Sequence, residues 1–269
     1  MANSFDDQWR LFKFKNASDR YNHLDYLKSI SFSFFREFDG KVVVELGSGD
    51  GRIVQMLFQS GAKKVISVEP TETGRSAQID RFANFDIELL KSLDQLKQSN
   101  LNYEILVCVG VLHHQKNPED FLKSILSINN NQAKILIWVY SNESAFYVRC
   151  VKILRGLTSK LSTRKVKHIS KLIEVCLRPY VLISNLFEWL PLSRYIRNVF
   201  SQLNHFERQL LIYDQLSPRY AHYFSKIELH ELVRRNGRTK YEIHSTNGSG
   251  YSLLIYPESM SETVVREEE

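Results

Sequence analysis

The chain has few of the residues that would build a stapled, metal-centred or membrane-spanning fold. It holds three cysteines, Cys108, Cys150 and Cys176, with neither disulfide-framework nor metal-ligand spacing, so no metal site is expected. Cys108 lies inside an apolar run and reads as packing. No stretch approaches the roughly 20 apolar residues of a spanning helix. Within the most apolar segment, Val175–Leu192, the longest charge-free run is Pro179–Phe187, nine residues. Met1 to Arg10 shows no apolar core of a secretory signal, and a reducing, cytoplasmic setting is the expectation. Core-forming residues are not short: 269 residues at 43% hydrophobic content imply one large domain, with or without an insertion. Glycine is scarce, 11 in all, and three stand at alternate positions in one place.

That place is Val42-Val43-Val44-Glu45-Leu46-Gly47-Ser48-Gly49-Asp50-Gly51-Arg52, followed by the helical pattern Ile53, Val54, Leu57, Phe58. A β-branched run, a glycine turn and a helix opening on it imply a buried parallel strand whose turn can approach a ligand. A dinucleotide fingerprint needs a third small residue where Arg52 stands, which speaks against NAD or FAD. The pattern is E-x-G-x-G-x-G, and it resembles the first motif of the class I S-adenosylmethionine (SAM)-dependent methyltransferases. The resemblance implies that Gly47, Ser48, Gly49 and Gly51 form the loop under SAM, with Glu45 fixing the methionine end. Glu69 lies 22 residues after Gly47, at the end of the next strand, where the family places an acid on the ribose hydroxyls. Ser92 and Leu93 fall where the family places side chains against adenine.

Strands are expected over Lys41–Leu46, Lys64–Val68, Phe85–Leu90, Glu104–Val109 and Lys134–Tyr140. Helices are expected to Ser60, over Thr73–Ala83 and over Pro118–Ile128. Gly110 breaks the fourth strand, letting its edge approach the cofactor; "Gly-Val-Leu-His-His" then resembles small-molecule methyltransferases, quinone-type enzymes among them. No Asn/Asp-Pro-Pro-Tyr follows, which counts against methylation of base amino groups. Ser225 with Glu228 forms a capping-box pattern for a last helix, and Tyr241–Thr246 with Tyr251–Tyr256 reads as a hairpin through Asn247-Gly248. The expected fold is α/β: a Rossmann-like, seven-stranded, mostly parallel sheet with helices on both faces. A helical insertion precedes the last helix and closing hairpin. The SAM-binding core is 1–144 with 222–257, the cap is 145–221, and the tail 258–269 is frayed. The aromatic-rich residues 4–38, including Phe14 and Tyr21 and with a helix start near Asn16 or Asp19, are expected to cover one face of the sheet; in the resembled family such a segment also helps close the site.

The net charge of +6 is uneven: residues 145–221 carry 13 Lys/Arg against four acids, Glu174, Glu188, Glu207 and Asp214. On the insertion's first helix Val148, Val151, Leu154 and Leu161 mark one face, and Arg149, Lys152 and Arg155 a basic one. The stretch 148–192 is expected as a substrate cap or as an element peripheral at an anionic membrane, with nucleic acid the least favoured partner. The function these residues imply is methyl transfer from SAM to a small-molecule, quinone-like, sugar or lipid-linked acceptor. The alternatives are a non-enzymatic SAM-binding adaptor and an RNA methyltransferase. His113 and His114, at the fourth strand's edge, and His222, before the last helix, are candidate bases for an acceptor proton.

Overall fold

The computed structural model describes residues 2–12, 24–128, 132–187, 189, 190, 192–198, 200–246 and 249–259. Phe14, Asn16, Asp19, Tyr21, Glu188, Asn247, Gly248 and the tail from 260 lie outside the described residues. The sheet comprises β1 (Val42–Leu46), β2 (Lys64–Val68), β3 (Ile87–Leu90), β4 (Ile105–Val109), β5 (Lys134–Tyr140), β6 (Tyr241–Thr246) and β7 (Gly250–Ile255). Its order is β3-β2-β1-β4-β5-β7-β6. Pairing is parallel from β3 to β5, and β7 runs antiparallel to both neighbours. β2 and β5 match the expected bounds, whereas the hairpin's second strand begins one residue earlier than its pattern implies.

Both faces are covered, which is why β1, β4 and β5 are near-continuous apolar runs. On one face α5 (Leu93–Gln98), α6 (Pro118–Ile128) and α11 (Lys226–Arg235) pack Leu96, Leu122, Ile125, Leu229 and Val233 against the strands. On the other lie α2 (Leu24–Ser31), the 3-10 turn Phe32–Phe38 and α3 (Arg52–Gln59), with Leu27, Phe34, Phe38, Val54 and Leu57 buried. Phe34 and Phe38 thus cover the sheet as expected. Side-chain caps set the helix starts: Thr71 for α4 (Glu72–Arg81), Ser92 for α5, and the Ser225–Glu228 capping box for α11. The six-residue α5 had no apolar period to announce it.

Residues 145–216 form α7 (Ala145–Thr158), α8 (Thr163–Leu186), α9 (Ser193–Asn198) and α10 (His205–Leu216). Around Tyr213, Val166, Val181, Ile196 and Phe200 they build a third apolar cluster, joined by Phe12 from the end of α1 (Ala2–Leu11). The basic face assigned to α7 needs correction at Arg155, which is buried while Leu154 and Leu161 are exposed. Its Nε donates to the Gln215 carbonyl at 2.8 Å, and its Nη2 to the Tyr223 hydroxyl at 3.0 Å. A guanidinium that caps a helix-end carbonyl and lies over an aromatic ring keeps its hydrogen bonds when buried, so burial does not expel it.

Arg155→Ala should therefore destabilise the fold by about 1.5–3 kcal/mol, the worth of hydrogen bonds to a charged group. Exposed Arg149→Ala on the same helix should stay within about 0.5 kcal/mol of wild type. Urea denaturation of both variants measures this, and equal midpoints would contradict the assigned role of Arg155.

Candidate functional site

Gly47, Gly49 and Gly51 have φ of +71°, +58° and +89°, so the turn after β1 is a left-handed series that suits glycine. Side chains from β2 and α4 hold its peptide groups. The Gly49 amide donates to Glu69 Oε2 at 2.7 Å, and the Gly49 carbonyl accepts from Gln78 Nε2 at 2.7 Å. Gln78 also donates to Ser48 Oγ, which lies 2.5 Å from Ser67 Oγ. Glu69 Oε1 accepts from the Thr71 amide at 2.8 Å. The three glycines serve different neighbours. A Cβ on Gly49 would meet Trp9 of α1 at 2.4 Å, and one on Gly51 would meet Phe82 at 2.5 Å. Close packing thus requires both, and neither lines the cavity described next. Ser48 lines it with a hydroxyl already engaged by the loop's own network.

A cavity of about 640 Å³ opens at the carboxyl ends of β1 and β4, where the strand order reverses, the place ligands occupy in open α/β sheets. Glu45, Gly47, Ser48, Glu69, Ser92, Leu93 and Gly110 all line it. Its roof is α1, through Phe5, Gln8 and Trp9, and its far wall comes from the insertion and β5: Tyr140, Tyr147, Tyr195, Leu211 and Asp214. Composition offered no signal that the N-terminal aromatics would divide between sheet and cavity. That division is set by where α1 docks: Asp6 accepts from the Thr73 amide at the start of α4, and Lys167 of α8 donates to the Leu11 carbonyl.

The residues at the β1 end suit the cofactor. Glu45 is buried, and its Oε2 has no hydrogen-bond partner among the described residues. Burial, then the nearby Glu69, pushes its carboxyl up to about 8. An orphaned carboxylate oxygen lining a cavity is an acceptor for a cationic or N–H ligand group. Gly110, with φ of +79°, has nothing within 4 Å of where a Cβ would stand, so the β4 edge leaves that space to a ligand. Burial also raises Glu69, against the opposing donors at Thr71 and Gly49.

The histidines separate. His114 lines the cavity, and its Nδ1 lies 3.0 Å from the Tyr220 carbonyl, an arrangement in which Nδ1 donates and Nε2 is left to take a proton. Nε2 stands 3.8 Å from Asp214 Oδ2, an ion-pair distance rather than a hydrogen bond. Tyr140 Oη donates to the same Oδ2 at 2.7 Å. Burial favours the neutral form of Asp214, but His114, Tyr140 and Arg155 outweigh it and hold the carboxyl below its usual range. His113 is fully buried, stacked on Tyr140 at 3.8 Å between ring centroids; burial, then its cationic neighbours, drives its basicity well below the usual range. His222 does not reach the cavity: its Nε2 lies 3.0 Å from the Gln115 carbonyl, and it lines a separate cleft with Asn117 and Arg235. In the resembled family the segment beginning at Asp214 lies near the acceptor pocket, whereas nothing in the sequence marks Tyr140, whose hydroxyl reaches Asp214 across the insertion.

A carboxyl raised from 4.5 in the free side chain to about 8 in the fold stabilises the protein fully below the lower value. That contribution is lost as pH rises through the higher one. Glu45→Gln should therefore raise the melting temperature of the ligand-free protein at pH 8 and change it little at pH 5. Scanning fluorimetry showing the same shift at both pH values would contradict this.

Known proteins share this fold. A family model described as "Methyltransferase domain" matches residues 18–242. The tRNA U34 carboxymethyltransferase of Campylobacter jejuni is 25% identical over 140 residues, covering 49% of this chain and 48% of the relative. The mitochondrial ubiquinone biosynthesis O-methyltransferase of Schizosaccharomyces pombe is 26% identical over 111 residues, covering 38% and 39%. The chain thus spans about half or less of the length of these curated relatives. Among solved structures, the DhpI–SAM–HEP complex superposes with a TM-score of 0.53 at 11% identity, covering 95% of both chains. Magnesium protoporphyrin IX methyltransferase (ChlM) of Synechocystis superposes at 0.51 with 14% identity, covering 95% and 97%; these two likenesses show the fold. With its family model spanning most of the length and its glycine loop, Glu45 and Glu69 gathered at the sheet's switch point, the chain belongs to the class I SAM-dependent methyltransferases.

Proposed function

We propose that this protein transfers the methyl group of SAM to a small, flat, largely apolar acceptor that loses a proton from a hydroxyl or an acidic carbon. The observation that carries this is one continuous cavity: the glycine loop with Glu45 lies at one end, and an aromatic wall with Asp214 and His114 at the other. Glu45 would meet the cofactor's ammonium and Glu69 its ribose hydroxyls. Ser92 and Leu93 would flank the adenine, and Gly47 and Gly110 would give main-chain approach. Ser48, Gly49 and Gly51 shape the loop. When bound, SAM supplies a methyl group activated on a sulfonium centre. The chain's part is alignment, exclusion of water and proton handling. His114 Nε2 would take the acceptor's proton as the new bond to the methyl carbon forms, and the Asp214 carboxylate would then face the imidazolium. Residues 145–221 would act as the acceptor cap, since Tyr147, Tyr195 and Asp214 on that wall belong to them.

The ubiquinone-pathway relative supports a quinone-like acceptor. The tRNA-acting relatives favour a second reading, an RNA acceptor, and the aromatic wall roofed by α1 counts against it. Incubation of the full chain with methyl-labelled SAM and fractionated extracts separates the readings. Label is expected in the organic-extractable small-molecule fraction. Label in RNA would overturn the proposal, and transfer to no fraction would favour a SAM-binding adaptor.

With that acceptor and saturating SAM, His114→Ala should lower kcat about a hundredfold or more and remove the acid limb of the pH–rate profile. His222→Ala, outside the cavity, should leave kcat near wild type. Loss of the acid limb in His222→Ala instead would show that the base is misassigned.

A further inference from the structure

Sixteen large hydrophobic side chains are exposed among the described residues, and twelve of them lie between positions 146 and 189. Most of these line up. On α8, Leu172, Val175, Leu182, Ile183 and Leu186 are exposed; Val175 follows Leu172 by 3 residues, and Leu182, Ile183 and Leu186 follow Val175 by 7, 8 and 11, helical steps that return to one face. Val166, Ser170, Val181 and Ser184, on the opposite side, are buried, and α8 packs that side against α10. Toward the amino end the outer stripe continues as exposed Arg164, Lys165 and Lys171, and past the carboxyl end as Phe187 and Trp189. α7 repeats the pattern with exposed Phe146, Ile153 and Leu157 beside Arg149 and Lys152.

The charge carried by residues 144–187 is mostly of one sign, with the next acid, Glu188, standing in sequence between Phe187 and Trp189. Glu174 is the sole acid among residues 144–187; it is 2% exposed and is bonded by Arg178 and His205. A stripe with an aliphatic middle, a basic border and a tryptophan at one end has the composition of a helix that lies in a lipid interface. No described helix is long and apolar enough to cross a membrane. At 24 residues and about 1.5 Å per residue, α8 offers a docking edge roughly 36 Å long. Nucleic acid would use the bases but gain little from five exposed aliphatic side chains.

We propose that the outer face of α8, continued by Phe187 and Trp189, docks on the surface of an anionic lipid bilayer. The proposal rests on the outer surface and does not depend on which acceptor is methylated. α8 packs on α10, whose Leu210, Leu211 and Asp214 line the cavity, so docking would set the acceptor end of the cavity beside the lipid.

Co-sedimentation of the full chain with phosphatidylcholine vesicles, with and without phosphatidylglycerol, tests this. Binding is expected to the anionic vesicles alone and should fall with added salt. Leu182→Glu with Leu186→Glu, and separately Lys165→Glu with Lys171→Glu, should each weaken it about tenfold or more. Ile79→Glu, at an exposed site on α4, should not. Melting temperatures near wild type would show that the variants fold, and an unchanged SAM affinity would separate failure here from failure of the methyl-transfer reading. Trp189→Phe should abolish a fluorescence blue shift on vesicle addition. No vesicle binding, equal binding to both vesicle types, or a dimer that Leu182→Glu with Leu186→Glu dissociates in the absence of vesicle binding would overturn the proposal.

Discussion

The site depends on one buried polar lock, in which Glu69 and Gln78 hold the peptide groups of the glycine loop. Glu69 binds the Gly49 amide and Gln78 the Gly49 carbonyl, while Ser48, Ser67 and Gln78 close a ring of hydroxyl and amide contacts beneath the loop. The Gly47 amide and the Gly51 carbonyl bond to β2 and α3, but the Gly49 amide and carbonyl bond to side chains instead, and left buried and unpaired each would cost about 1–3 kcal/mol. The lock supplies those partners from β2 and α4. Gly74 allows the close approach, since a Cβ there would stand 2.7 Å from the Gly49 carbonyl oxygen. The loop is therefore set by two elements distant in the chain, and the opening between β1 and β4 inherits its position.

Along the cavity that results, the carboxyl groups are pushed in opposite directions. Glu45 has a buried, half-partnered carboxyl beside another acid, and its neutral form is favoured up to about pH 8. Asp214 is held ionised by His114, Tyr140 and Arg155 despite its own desolvation. Tyr140 keeps its proton, because burial and then Asp214 both raise it well above the usual range. Environments that push like groups apart leave two different carboxyls along one cavity: a mostly protonated one with an unpaired oxygen at one end, and a fixed negative charge behind a histidine at the other.

The strands and the glycine loop were legible because they are local. Val42–Leu46, Lys64–Val68 and Lys134–Tyr140 are short apolar runs bounded by turn residues, and the cap at Ser225 stands beside the helix it starts. Glu45, Glu69 and Gly110 were legible from their place at strand ends. What long-range docking decides was not. Trp9 reaches Gly49 only because α1 binds the start of α4, and Asp214 reaches Tyr140 across the whole insertion. Arg155 turned inward against its helical pattern because its partners, Gln215 and Tyr223, come from later in the chain. A hydropathy pattern assigns such an arginine to solvent, as it does Leu154 to the core.

We propose that Glu69, besides holding the Gly49 amide, joins the loop lock to cofactor recognition at the β1–β4 opening. Titration calorimetry of the full chain with S-adenosylhomocysteine, the demethylated product of SAM, tests it directly, with NAD as the control. Binding of the former is expected, none of NAD, and an affinity about tenfold or more weaker in Glu69→Ala, the worth of hydrogen bonds to a charged acceptor. An unchanged affinity in Glu69→Ala, or binding of NAD by the wild-type chain, would contradict it.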